Sequence, residues 1–166
     1  SFSKVIESGK SDLAAQAAIA ITDLYARQGD FDKAIGSYQE KVKEYPDLAH
    51  LIYPKIADIL YRQGKYDDAL VLYRKALDLV PLRQMADIQF KIAEVIQTQG
   101  KVPEAIEEYL KVLYLYSGNK MLEVKSLLRV AKMYEDQENI REAAKVYQRI
   151  SALDVPEAKF ARERIE

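Results

Sequence analysis

The chain has 166 residues, 49% hydrophobic and 31% charged, with a formal net charge of −1 at pH 7 and a pI of about 6.0. These values suit one folded domain and exclude a disordered chain. They leave no basic face for duplex nucleic acid and no polybasic cluster for anionic lipid.

Residues 1–11 carry the apolar pair Val5-Ile6 and then Ser8-Gly9-Lys10-Ser11. Gly9-Lys10-Ser11 echoes the end of a phosphate-binding loop, but Lys4 stands where that loop needs a second glycine, and no strand precedes it. The stretch reads as the end of a preceding helix and its turn. Asp12 is placed to cap a helix running to about Gln28, with Ala14, Ala17, Ala18, Ile21, Leu24 and Tyr25 at helical spacing. Gly29 closes it, since glycine readily takes the left-handed conformation. Asp30 or Asp32 starts a second helix through Ala34, Ile35, Tyr38 and Val42, which Tyr45-Pro46 stops.

A third helix is predicted from near Asp47 to Gly64, with Pro54 in its first turn or kinking a longer element. Its partner spans about Lys65 to Val80. The next pair carries Met85, Ile88, Ile92 and Val95, then a turn at Gly100, then Ala105, Ile106, Tyr109 and Val112. Ser117-Gly118-Asn119 supplies the following turn. The last pair runs through Leu122, Leu127, Val130, Ala131 and Tyr134. Its turn at Gln137 to Asn139 lacks glycine, and Asn139 is the residue expected to adopt positive φ. After Pro156 a short charged helical pattern suits a terminal cap or the start of a further unit.

One phrase recurs through this order: a turn residue, an alanine five residues later and a tyrosine four after that. Gly29, Gly64, Gly100 and Glu138 stand 35, 36 and 38 residues apart. Ala34, Ala69, Ala105 and Ala143 lie where two helices come closest, and a methyl there permits that approach. Tyr38, Tyr73, Tyr109 and Tyr147 come one turn further on and are expected to fill the space between adjacent pairs.

This pattern resembles the tetratricopeptide repeat, a helix–turn–helix unit of about 34 residues. The second unit matches best, with Tyr53, Ala57, Gly64, Tyr66, Ala69, Tyr73, Ala76 and Pro81. The first departs at Thr22 and Lys41, where small residues are usual; the third offers Val102 for the aromatic, and the fourth lacks the glycine. The resemblance implies an all-α fold, a right-handed superhelical α-solenoid of four units at about 15–48, 50–83, 86–119 and 124–157. Residues 158–166 form a cap or begin a further unit, all within a single domain over 1–166. Longer units with Tyr-Pro endings are also similar to repeats of bacterial cell-envelope proteins, which leans the compartment toward a periplasm over a cytoplasm.

The resemblance further implies a non-catalytic interaction module whose first helices line a groove for a polar or amphipathic peptide, as an adaptor in a larger assembly. The faces left after core positions are assigned carry Asp23, Arg27, Lys55, Asp58, Tyr61 and Arg62 in the first half. Lys91, Glu94, Gln97, Arg129, Lys132 and Glu135 lie in the second. Taken singly these are solvated positions with i,i+4 pairs such as Asp23–Arg27 and Asp58–Arg62. One subgroup of the family grips a C-terminal carboxylate with lysine and asparagine; Ile19 and Asp23 stand at those positions here, and an aspartate there repels a carboxylate. A self-assembling scaffold and a regulatory domain of a larger protein are the alternatives.

No chemistry is legible beside this. Cysteine is absent, which removes thiolate metal sites and cysteine nucleophiles. His50 reads as a surface or capping histidine, and Asp67-Asp68 and Glu107-Glu108 as helix-start acids favoured by the dipole. No catalytic residue, cofactor or metal is expected, nor nucleic acid or membrane insertion. The partner is a protein or peptide, with self-association open. The start Ser1-Phe2-Ser3 suggests a processed product or a piece of a longer chain.

Overall fold

The computed structural model describes residues 2–165, with side chains described from Leu13 onward except Ala15. Among the described residues all regular structure is helical: α1 Phe2–Arg27, α2 Phe31–Glu44, α3 Ala49–Arg62, α4 Tyr66–Leu77, α5 Leu82–Thr98, α6 Val102–Tyr114, α7 Lys120–Asp136, α8 Ile140–Ser151 and α9 Glu157–Glu163. A 3-10 turn at Pro46–Leu48 leads into α3. The chain divides into two compact units, 1–79 and 80–166. The first holds the pairs α1/α2 and α3/α4; the second holds α5/α6 and α7/α8, with α9 packed on α8.

Each pair turns the same way. Gly29, Gly64 and Gly100 take φ of +83°, +75° and +76°. The amide one residue later reaches back five positions, as Asp30 to Tyr25 at 3.0 Å and Lys65 to Leu60 at 2.9 Å. That bond satisfies a carbonyl the helix end would otherwise leave bare. The fourth turn corrects one expectation. Asn139 does not take the positive φ; Glu138 does, at 59°, while Asn139 sits at φ −87° and accepts the amide of Glu142. An asparagine cannot serve the left-handed turn and the cap at once, and here capping wins. Helix α1 brings a second correction: it runs unbroken through Gly9 and Asp12, so no turn separates residues 2–11 from the rest of the helix, and Asp12 does not start it. Pro54 lies inside α3, five residues past its start.

The small residues fall where the pairs close. Ala34, Ala69 and Ala105 are fully buried and Ala143 nearly so; Tyr38, Tyr73, Tyr109 and Tyr147 are buried beside them. In the first unit Tyr38 and Ala34 cluster with Ile52, Ile56 and Ile59 of α3. In the second, Tyr147 and Ala143 cluster with Leu127, Ala131 and Ile150, closed by Ala161 of α9. Thr22 occupies a position where a small residue is usual without leaving its hydroxyl stranded. Its Oγ1 donates to the Ala18 carbonyl at 3.0 Å and lies 2.8 Å from Ser37 Oγ. Lys41 keeps its ammonium on the surface, on Glu44 at 2.5 Å.

Two substitutions test this packing. Ala69→Leu is expected to lower stability by about 1–3 kcal/mol through overpacking, read as a lower denaturation midpoint. Glu138→Gly is expected to raise stability by roughly 0.5–1 kcal/mol, because removing the side chain relieves a left-handed residue at some entropic cost. A neutral or destabilising Glu138→Gly in the same measurement would contradict the strained turn.

Candidate functional site

The first helices of the pairs carry the sequence-predicted residues, and most of those in the first unit meet at one place. A cavity of about 200 Å³ is lined by Asp23 and Arg27 of α1, Tyr38 of α2, and Lys55, Asp58 and Arg62 of α3. Its two acids are occupied from within. Tyr38 donates its hydroxyl to Asp23 Oδ1, and Lys55 Nζ meets Asp23 Oδ2 at 2.9 Å. Tyr73 of α4 donates to Asp58 Oδ1. The expected Asp23–Arg27 pair does not form, because Lys55 arrives from the next pair with better reach. Arg27 and Arg62 are exposed and make no ion pair among the described residues. The cavity therefore presents two guanidinium groups without an ion pair, beside carboxylates that already accept hydrogen bonds from within the fold.

Burial first, and the Asp23 hydrogen bond second, push the Tyr38 hydroxyl well above its ordinary value of 10.0. Asp23 thus acts as a fixed acceptor for the packing tyrosine. Ile19, the other position at which the carboxylate-gripping subgroup carries a polar residue, is buried in the core cluster of this unit. Tyr61 turns to Tyr66, their ring centroids 5.7 Å apart.

The second unit arranges its residues differently. Glu94 of α5 meets Arg129 of α7 at 3.4 Å, and the pair flanks a cavity of about 350 Å³ floored by Phe90 and Leu128, with Lys125 at its edge. Lys125 makes no ion pair among the described residues. Gln97 accepts the Tyr109 hydroxyl at 2.8 Å. Glu135 is paired with Arg164, and Lys132 with Asp136 at 2.6 Å. Tyr147 lies beside Glu135 and Arg164, and burial is the main cause of its raised pKa. Lys91, Gln97, Lys132 and Glu135 line neither cavity; Lys91 is half-buried.

Phe90, Lys125 and Leu128 were not among the sequence candidates. Their signal is the repeat itself: Ile19, Pro54, Phe90 and Leu128 share one register position at the spacing of the turns. His50 places Nδ1 2.8 Å from the Asp47 carbonyl, to which it donates at the start of α3. Among the described residues no cluster of three histidines or acids could hold a metal, and no helix is long and apolar enough to cross a membrane.

Comparison with known proteins bears on this geometry. Family models described as tetratricopeptide repeat match residues 17–50 and 55–120, together well over half of the chain. The chain belongs to the tetratricopeptide repeat family. A crystal structure of MamA is similar at 19% identity and a TM-score of 0.64, over 87% of this chain and 80% of that one. A second MamA structure gives 18% and 0.67, over 91% and 78%. A tetratricopeptide repeat protein from Parabacteroides merdae gives 19% and 0.70, covering 93% of this chain but 59% of that one. At such identities the likeness concerns the fold, and it fits an all-α solenoid of helix pairs. No curated protein matches the chain. Membership of this family supports a protein–protein interaction or scaffold module.

Tyr38→Phe tests whether Asp23 belongs to the packing. The variant is expected to lose about 0.5–1.5 kcal/mol of stability in urea unfolding at neutral pH. A folded-state pKa above 10.0 means that the tyrosine's contribution is whole below that pH and is lost as pH rises toward the folded value. The gap between wild type and Tyr38→Phe is therefore expected to hold steady up to about pH 10 and to narrow above it.

Proposed function

We propose that this chain is a non-catalytic interaction module that receives a polar or amphipathic segment of a protein partner on the first-helix faces. One observation carries the reading. Asp23 and Asp58 are engaged by tyrosine hydroxyls, while Arg27 and Arg62 stand unpaired around the same cavity. A surface whose acids are engaged internally and whose two arginines are not favours an acidic side chain on the incoming segment. The second unit's cavity adds an apolar floor, Phe90 and Leu128, beside unpaired Lys125. An aromatic or aliphatic anchor next to an acid fits that chemistry.

The test uses a synthetic acidic amphipathic peptide and a basic counterpart of the same length, titrated by anisotropy. Arg27→Glu combined with Arg62→Glu is expected to weaken the acidic peptide at least about tenfold, or 1.4 kcal/mol, with an unchanged helical spectrum. The basic peptide is expected not to bind wild type. Equal affinity of wild type and variant for the acidic peptide would remove these arginines from the site.

A further inference from the structure

The first two pairs use the acid of their first helix for packing, and the third does not. Asp23 and Asp58 each stand 15 residues before the tyrosine whose hydroxyl they accept. Glu94 holds the same register before Tyr109, yet Tyr109 gives its hydroxyl to Gln97 at 2.8 Å. Lys132 holds that register before Tyr147, so the fold does not require an acid there. Glu94 is thus a carboxylate that the packing leaves over. Its side chain, 36% exposed, reaches Arg129 of α7 at 3.4 Å, long for a charge-assisted contact.

That pair stands on the rim of a cavity whose remaining lining is apolar or positive. Phe90 and Leu128 form the floor, while Lys125 and Arg129 lie one turn apart on α7. The Phe90 ring is held edge to face against Tyr109, their centroids 5.2 Å apart, which fixes the floor in place. Among the described residues Glu94 is the one acid lining this cavity. An exposed ion pair of this kind contributes little to folding. Its charge nevertheless opposes any second carboxylate brought to the Arg129 guanidinium.

We propose that Glu94 is an internal competitor, standing on Arg129 where the carboxylate of an acidic partner segment binds. This rests on the first-helix faces being the partner site and adds what the second cavity selects. The occupant is an acidic segment that sets one aromatic side chain on Phe90 and Leu128. An adjacent carboxylate of that segment then lies between Lys125 and Arg129. Two cations and one displaceable acid favour a carboxylate over an amine, and the apolar floor favours a ring over a small polar group. Glu94 sets the threshold: a segment must bring both charge and anchor to replace it, so the site discriminates by repulsion as well as attraction.

The probe is a short amidated peptide, labelled at its amino end, with one phenylalanine flanked by glutamates. A second peptide carries glutamines in place of the glutamates. By anisotropy, Glu94→Gln is expected to bind the acidic peptide about two- to fivefold more tightly than wild type, the size of one exposed ion pair. The gain is expected to vanish when Arg129→Gln is added and to be absent for the glutamine peptide. Glutamine keeps the shape of this exposed side chain, so the helical spectrum is expected to stay unchanged. Unchanged or weaker binding of the acidic peptide by Glu94→Gln overturns the proposal, as does failure of both wild type and variant to bind it. An equal gain for the glutamine peptide, or a gain that survives Arg129→Gln, overturns it as well. Arg27→Glu with Arg62→Glu acts on the other cavity, so either result can fail without the other.

Discussion

A tyrosine ring packed between helices brings a hydroxyl into a place where water is scarce, and that hydroxyl must find an acceptor. The constraint recurs four times in this chain and organises what surrounds it. Tyr38 ends on Asp23, Tyr73 on Asp58 and Tyr109 on Gln97, while Tyr147 lies beside Glu135 and Arg164. The acceptor shifts by one turn between the units. Asp23 and Asp58 share a repeat position, whereas Gln97 and Glu135 occupy the position three residues later. In the second unit the earlier position is released for other use, and Glu94 turns to Arg129 there.

This demand on acceptors decides which charges face a partner. The chain is nearly neutral overall, so its composition hides the local imbalance. Around the first cavity the acids are structural and the arginines are not. Lys55 adds to this by closing on Asp23 from the next pair, so that one carboxylate serves a tyrosine and a lysine together. Half-exposed pairs of this kind contribute little stability on their own. Their larger effect here is to hold Asp23 and Lys55 against one another, while Arg27 and Arg62 are left without an ion pair beside them.

The helix pairs were open to a reading of the residues because their determinants are local. A left-handed turn wants glycine, close approach wants alanine, and both recur at a fixed interval. Glu138 escaped because asparagine is the better left-handed residue in isolation, yet Asn139 was needed one position on as a cap. The length of α1 escaped for a similar reason: Gly9 inside a helix costs only about 1 kcal/mol relative to alanine, too little to mark a boundary. The candidate site was legible as a set of positions and not as a set of partners. Spacing along one helix suggested Asp23 with Arg27, but Lys55 is 32 residues away in sequence and adjacent only after folding. Phe90 and Leu128 share a repeat position with Ile19 and Pro54, but nothing local in the sequence marks that position as the floor of a cavity.

The most direct test of the tyrosine constraint is a spectrophotometric titration of the chain's twelve tyrosines into alkali, tracked alongside helical content. If buried hydroxyls are held by acceptors, the exposed tyrosines ionise first in a fully helical chain. A distinct remainder, Tyr38 and Tyr147 among them, then ionises only as helical signal is lost. Ionisation of all twelve in one step near the ordinary value, with the helices intact, would contradict it.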